Sequence, residues 1–184
     1  METLKQLDTE LFLYINHMGR PQWDGFWALF TDQWTSIPVY ALLVGLVCWK
    51  TGFKRAFISG VVIFGLLVVT YGISKLFKYG VMRPRPCTMN FEMRYPLKED
   101  CGDYGFFSSH ASVGMALMLF MGLLLKKYYR YIFWPLMLWL ALFSFSRVYV
   151  GKHYPGDIIV GLLVGAILAI LFYKIRLYIA KRYA

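Results

Sequence analysis

The sequence predicts an all-α, polytopic membrane bundle of about five transmembrane helices, preceded by amphipathic helices lying at the interface. Of its 184 residues, 59% are hydrophobic and 19% aromatic, and the mean hydropathy is +0.51. That is too apolar for an ordinary soluble globule. The apolar residues also gather into runs of membrane length, since about 20 helical residues cross the roughly 30 Å hydrocarbon core. The net charge of +10 punctuates those runs and forms no continuous stripe. This argues for membrane orientation and against a nucleic-acid partner.

Residues 1–33 come first. Their apolar positions (Leu7, Leu11, Leu13, Tyr14, then Phe26, Trp27, Leu29, Phe30) are interrupted by Asp8, Glu10, His17, Arg20 and Asp24. Short interfacial helices split at Gly19-Arg20-Pro21 are expected. A sixth span here is disfavoured because no uninterrupted run is long enough. The first ten residues lack a basic segment followed by an apolar one, so no cleavable signal peptide is expected. Spans are then expected over about 35–49 (reaching back toward Phe26, with Pro38 a candidate kink), 56–77, 108–125, 131–145 and 155–173. By length the chain is one domain, 1–184, with a motif-bearing core at 56–173.

Orientation follows from the connections. Lys50, Lys54 and Arg55, then Lys126, Lys127 and Arg130, then Lys174, Arg176, Lys181 and Arg182 place ten basic residues and no acid on one face. Dense Lys and Arg in two short loops and a tail mark that face as cytoplasmic. Lys78, Arg85, Ser108, His110, Arg147, His153 and Asp157 then all fall on the external face of a cell (inner) membrane.

The chemistry of these residues points one way. Ser108 is placed to cap a helix after the turn-rich stretch 102–105, where free N–H groups and the helix dipole favour an anion. An ordinary cap has the same look, and only the company of His110 and the distant cations tips the balance to phosphate. Arg147 near the end of an apolar run either snorkels to headgroups or offers its planar fork to phosphate oxygens. Pro155 suits a first helical position, which puts Asp157 at the third, one turn from His153. From there the carboxylate either complements the dipole or fixes the imidazole tautomer. Arg83 and Arg85 each precede a proline and sit in extended backbone, with headgroup anchoring expected of Arg83. The cysteines and histidines lack zinc-like spacing, so neither metal nor cofactor is expected. Cys87 and Cys101 either form a disulfide across the external loop, if that face is oxidising, or remain free thiols.

Assembled as Lys-x6-Arg-Pro (78–86), Ser-Ser-His (108–110) and Ser-Arg-x5-His-x3-Asp (146–157), these residues closely resemble the type 2 phosphatidic acid phosphatase family, which shares its phosphate site with vanadium haloperoxidases. The family's second motif is Pro-Ser-Gly-His; here Phe107 and Ser109 stand in place of the Pro and the Gly. The resemblance implies attack on phosphorus by His153, oriented by Asp157, with His110 as the acid and then the base. It also implies that Lys78, Arg85, Arg147, Ser108 and the Ser109 N–H hold the phosphoryl oxygens in place of a metal. One imidazole must begin neutral and the other protonated, so a bell-shaped pH profile is expected.

The expected activity is metal-independent removal of phosphate from a lipid phosphate or pyrophosphate, such as phosphatidic acid, phosphatidylglycerol phosphate or an isoprenyl pyrophosphate. Two rivals are a phosphotransferase using the same site and a non-catalytic lipid-binding membrane protein. The pair of histidines with Asp157 argues against the second.

Overall fold

The computed structural model describes residues 2–95, 101–102 and 104–183, so Asp103 of the turn-rich stretch lies outside the described residues. Among the described residues seven α-helices follow one another: α1 (Glu2–His17), α2 (Pro21–Thr31), α3 (Ile37–Thr51), α4 (Phe53–Val81), α5 (Ser109–Leu125), α6 (Phe133–Tyr149) and α7 (Pro155–Tyr183). A 3-10 turn, Gln33–Ser36, leads into α3, so that Trp34–Thr51 forms one apolar helical stretch. That stretch, α4 and α7 are each long and apolar enough to cross a membrane. The shorter α5 and α6 are also apolar, and at 17 residues each would reach about 25 Å. The five expected spans therefore correspond to α3–α7.

Several boundaries differ for local reasons. The first span does not reach back to Phe26. Asp32 accepts a hydrogen bond from the Trp34 amide at 3.0 Å, starting a separate turn after α2. Pro38 makes no interior kink, because it lies in the first turn of α3, where a missing N–H leaves no gap in the ladder. Between α1 and α2 the break falls where expected, with Pro21 opening α2. Neither α1 nor α2 is among the helices long and apolar enough to span.

The centre of the bundle is α5. It packs most extensively on α7 and also touches α3, α4 and α6. The close α5–α7 approach depends on Gly161 and Gly165, spaced as a small-xxx-small pair. A Cβ on Gly161 would sit 2.7 Å from the Ser108 carbonyl, and one on Gly165 would overlap the Ser112 carbonyl. Three buried hydroxyls in the spans return to their own helices: Ser59 to the Arg55 carbonyl, Thr70 to Leu66 and Ser146 to Phe143, each at 2.7 Å. Such bonds satisfy polar groups where lipid supplies no partner. Large apolar residues cover the outside, among them Phe64, Leu76, Ile159, Leu163 and Ile167, as expected of helices whose solvent is lipid.

Helices α1 and α2 pack on this bundle at the end that carries the three polar motifs. Phe12 and Asn16 are the buried residues of α1, while Leu4, Leu7 and Leu11 point outward. Asn16 donates to the Tyr149 carbonyl at 2.8 Å and accepts from the Arg94 amide at 2.8 Å. Arg94 in turn pairs with Asp24 of α2, its guanidinium holding that carboxyl below the usual carboxylate range.

Candidate active site

Four helix ends and two loops meet at one end of the bundle. The last turn of α6 carries Arg147, and the chain then doubles back: the Lys152 and His153 amides both donate to the Arg147 carbonyl, at 3.0 and 3.3 Å. Gly151 sits in this turn at φ 76°, a conformation L side chains rarely adopt. Pro155 then opens α7, and Asp157 occupies its third position. The Ser108 amide donates to the Asp157 carbonyl at 3.1 Å, tying the start of α5 to the start of α7.

His153 and Asp157 are both fully buried. Asp157 Oδ2 lies 3.4 Å from His153 Nδ1 and accepts from the Tyr154 amide at 3.1 Å. The other ring nitrogen, Nε2, is buried without a hydrogen-bond partner among the described residues. Burial holds the His153 imidazole well below its usual range. Arg147, Arg85 and Lys78 push the same way, and a backbone hydrogen bond with Gly105 opposes them. The charges of these three cations also act on His110. Gly105 fits tightly beside the pair, since a Cβ there would stand 3.1 Å from Asp157 Oδ2.

Ser108 caps α5 as expected, its hydroxyl accepting from the Ala111 amide at 3.4 Å. Ser109 begins the helix proper, and its hydroxyl is 2.8 Å from that of Ser74 on α4. The position is helical, not positive in φ, so it needs no glycine. Phe107 is fully buried against Phe77, with ring centroids 5.3 Å apart. Both departures from the family motif are thus absorbed by packing.

A cavity of about 420 Å³ opens beside these residues, lined by Lys75, Lys78, Arg85, Ser109 and His110 together with Tyr40, Tyr71 and Phe143. A smaller one of about 170 Å³ adjoins Lys75, Lys78, Arg85 and Tyr104. Arg85 Nε donates to the Tyr104 carbonyl at 3.1 Å. Ser108, Arg147, His153 and Asp157 do not line the larger cavity and are buried residues. Cys87 and Cys101 are joined by a disulfide with Cα atoms 6.3 Å apart, bracing the loop that carries Arg85.

Two expectations change. Arg83 does not anchor to headgroups; it bridges Asp157 Oδ1 at 2.9 Å and Asp8 Oδ2 at 2.8 Å, and lies 3.8 Å from the Tyr154 ring centroid. Asp8 also accepts from the Gly156 amide at 2.7 Å. Nothing local in the sequence reveals this, because Asp8 and Asp157 lie far from Arg83 along the chain. Arg147 is the second case. Its Nη1 is committed to the carbonyl and hydroxyl of Thr31, at 2.9 and 2.8 Å, so one arm of the fork is structural. Its Nε is buried without a partner among the described residues. Lys75, three residues before Lys78 on the same helix face, is a further cation that sequence reasoning passed over.

A helical bundle with apolar outer faces, enclosing two imidazoles, a carboxylate and several cations, defines an integral membrane protein built to handle phosphate. Residues 59–181 match the PAP2 superfamily model. A lipid A 4'-phosphatase of Porphyromonas gingivalis is 31% identical over all of this chain and 78% of its own length. An undecaprenyl-diphosphatase of Bacillus subtilis is 31% identical over 76% of this chain and 68% of its own. The crystal structure of a transmembrane PAP2-type phosphatidylglycerolphosphate phosphatase from Bacillus subtilis superposes with a TM-score of 0.72. It is 17% identical and covers 95% of this chain and 87% of its own. The chain belongs to the PAP2 superfamily. It is a membrane-integral phosphatase of that family.

Proposed function

We propose that this chain releases phosphate from a lipid phosphate or pyrophosphate through a phosphohistidine on His153, at the external face of the inner membrane. The observation that carries the reading is the state of His153. Asp157 is on Nδ1, Nε2 has no hydrogen-bond partner among the described residues, and burial favours the neutral ring. That is the condition a nucleophilic imidazole needs. Nε2 forms a bond to phosphorus as the bond to the leaving oxygen breaks, and His110 supplies the proton to that oxygen. Water, losing a proton to His110, then breaks the P–N bond and frees inorganic phosphate. Lys78, Arg85, Arg147 and the N–H groups at the start of α5 stabilise the developing charge, the work a metal does in other phosphoryl transfers.

The aromatic residues in the larger cavity (Tyr40, Tyr71, Phe143) support a substrate with an apolar body beside its phosphate. Relatives acting on lipid A and on undecaprenyl diphosphate place those two lipids in the test panel with phosphatidic acid and phosphatidylglycerol phosphate. External placement rests on the ten basic residues at the opposite end. Residues 1–184 act as one domain, a reading supported by α1 and α2 packing on the bundle.

The test is phosphate release by purified wild type, His153→Ala and His110→Ala across that panel, with EDTA present. Wild type should keep its activity in EDTA and form an acid-labile, base-stable phosphoenzyme, and His153→Ala should do neither. Undiminished turnover by His153→Ala would remove it as the nucleophile. Loss of wild-type activity in EDTA would overturn the metal-free step.

A further inference from the structure

At the end of the bundle opposite the site lies a further cavity, of about 270 Å³. It is lined by Thr51 of α3, Arg55 of α4, Lys126 and Lys127 just after α5, and Arg176 and Lys181 of α7. Five of those six residues are cations, and no Asp or Glu occurs in residues 36–60, 115–135 or 158–183, which build this end. The chain therefore brings no carboxylate of its own from those segments.

Arg176 distinguishes the cavity from an ordinary fringe of snorkelling lysines. It is 8% exposed, and its Nε donates to Ser59 Oγ at 3.0 Å. Ser59 is fixed in turn by its bond to the Arg55 carbonyl. The guanidinium is thus locked into the wall between α4 and α7, and its terminal nitrogens make no hydrogen bond among the described residues. A snorkelling side chain needs freedom to reach the interface; this one has been held back from it. A planar fork of fixed orientation, with the cations of Arg55, Lys126, Lys127 and Lys181 around it, is suited to the oxygens of a phosphate diester. Beside it, Leu177 is 45% exposed on the outer side of α7, where an acyl chain would lie.

We propose that this cavity binds the phosphate-bearing headgroup of an anionic phospholipid, as a site separate from the catalytic one. Basic pockets between membrane helices on the cytoplasmic side recognise such headgroups by this chemistry. Free inorganic phosphate shares that chemistry and is the other source an experiment must separate.

The full chain in lipid nanodiscs or detergent would be tested by native mass spectrometry, comparing retained phosphatidylglycerol with phosphatidylcholine. Wild type should retain phosphatidylglycerol preferentially. The double variant Lys126→Gln/Lys127→Gln should bind it about twenty-five-fold more weakly, at roughly fivefold per cation removed. Its turnover of a soluble phosphate ester should match wild type, which separates this site from substrate binding at the other end. Arg176→Gln should lose the preference altogether; if it fails to fold, the double variant decides. Equal retention of the two lipids by wild type, or undiminished retention by the double variant, would overturn the proposal. Complete displacement of phosphatidylglycerol by millimolar inorganic phosphate would overturn the lipid as occupant.

Discussion

Replacing Arg83 with glutamine keeps the length of the side chain and removes its charge and fork. In the native protein the guanidinium holds the fully buried Asp157 by Oδ1 at 2.9 Å, while Asp157 Oδ2 serves Tyr154 and His153. Without it, Oδ1 loses its charged donor and the carboxylate can rotate away from the imidazole. A hydrogen bond to a charged group contributes about 1.5–3 kcal/mol. Arg83 is 18% exposed on its side chain, so the lower half of that range applies. Expressed in the positioning of His153, about 1.5–2 kcal/mol is a loss of roughly ten- to thirtyfold in turnover. Arg83 lines neither cavity beside His110, so KM should hold. Lysine at this position restores charge but reaches only one of the two carboxylates well, and should recover part of the loss. The assay is steady-state phosphate release from a short-chain lipid phosphate, with thermal unfolding measured alongside. A raised KM with unchanged kcat would mean that Arg83 binds substrate, and the positioning argument would fail. Wild-type kinetics in Arg83→Gln would dispose of it entirely.

Further expectations concern stability. Gly165→Ala sets a methyl against the Ser112 carbonyl. Overpacking of this kind costs about 1–3 kcal/mol, so thermal unfolding in detergent should shift downward, and an unchanged midpoint would refute the α5–α7 contact. Thiol counting on non-reduced protein should find Cys48 alone, which is exposed, whereas two additional free thiols would exclude the Cys87–Cys101 bridge. Breaking that bridge should cost about 3 kcal/mol by loop entropy. His153 has a folded pKa depressed by burial, so the unfolded chain takes up its proton first as pH falls. This part of the stability is intact above about pH 6.5 and is lost below it, at up to about 1.4 kcal/mol per pH unit. His153→Gln should show a shallower acid loss than wild type in unfolding measured against pH; identical slopes would refute the neutral buried ring.

What the sequence could convey was set by the range of each interaction. Spans α3–α7 announce themselves because apolar runs are contiguous, and Ser108, Pro155 and Asp157 are legible because capping and first-turn chemistry is local. The spacing of Lys78, Arg85, His110, Arg147 and His153 was readable as a pattern. The partners were not. Thr31 on Arg147 and Asp8 on Arg83 are brought in by tertiary folding of an interfacial segment whose sequence shows only amphipathic helices. Reading Arg83 as a headgroup anchor failed for that reason. The ends of α4 and α7 also outran expectation, since helical backbone bonding continues beyond the apolar stretch into the basic or polar margins.

The bridge between Asp8 and Arg83 has a counterpart at two other arginines. Arg94 closes on Asp24 and Arg147 on Thr31, so three guanidinium groups of the phosphate-handling end each terminate on an oxygen from residues 1–31. The stretch matched by the family model begins only at residue 59. A fragment trimmed to that stretch would retain every motif residue yet strand Arg83, Arg94 and Arg147 without these counter-groups. The leading helices, whose apolar runs are the most interrupted by charge, are therefore a clamp on the chemistry and not an appendage to it.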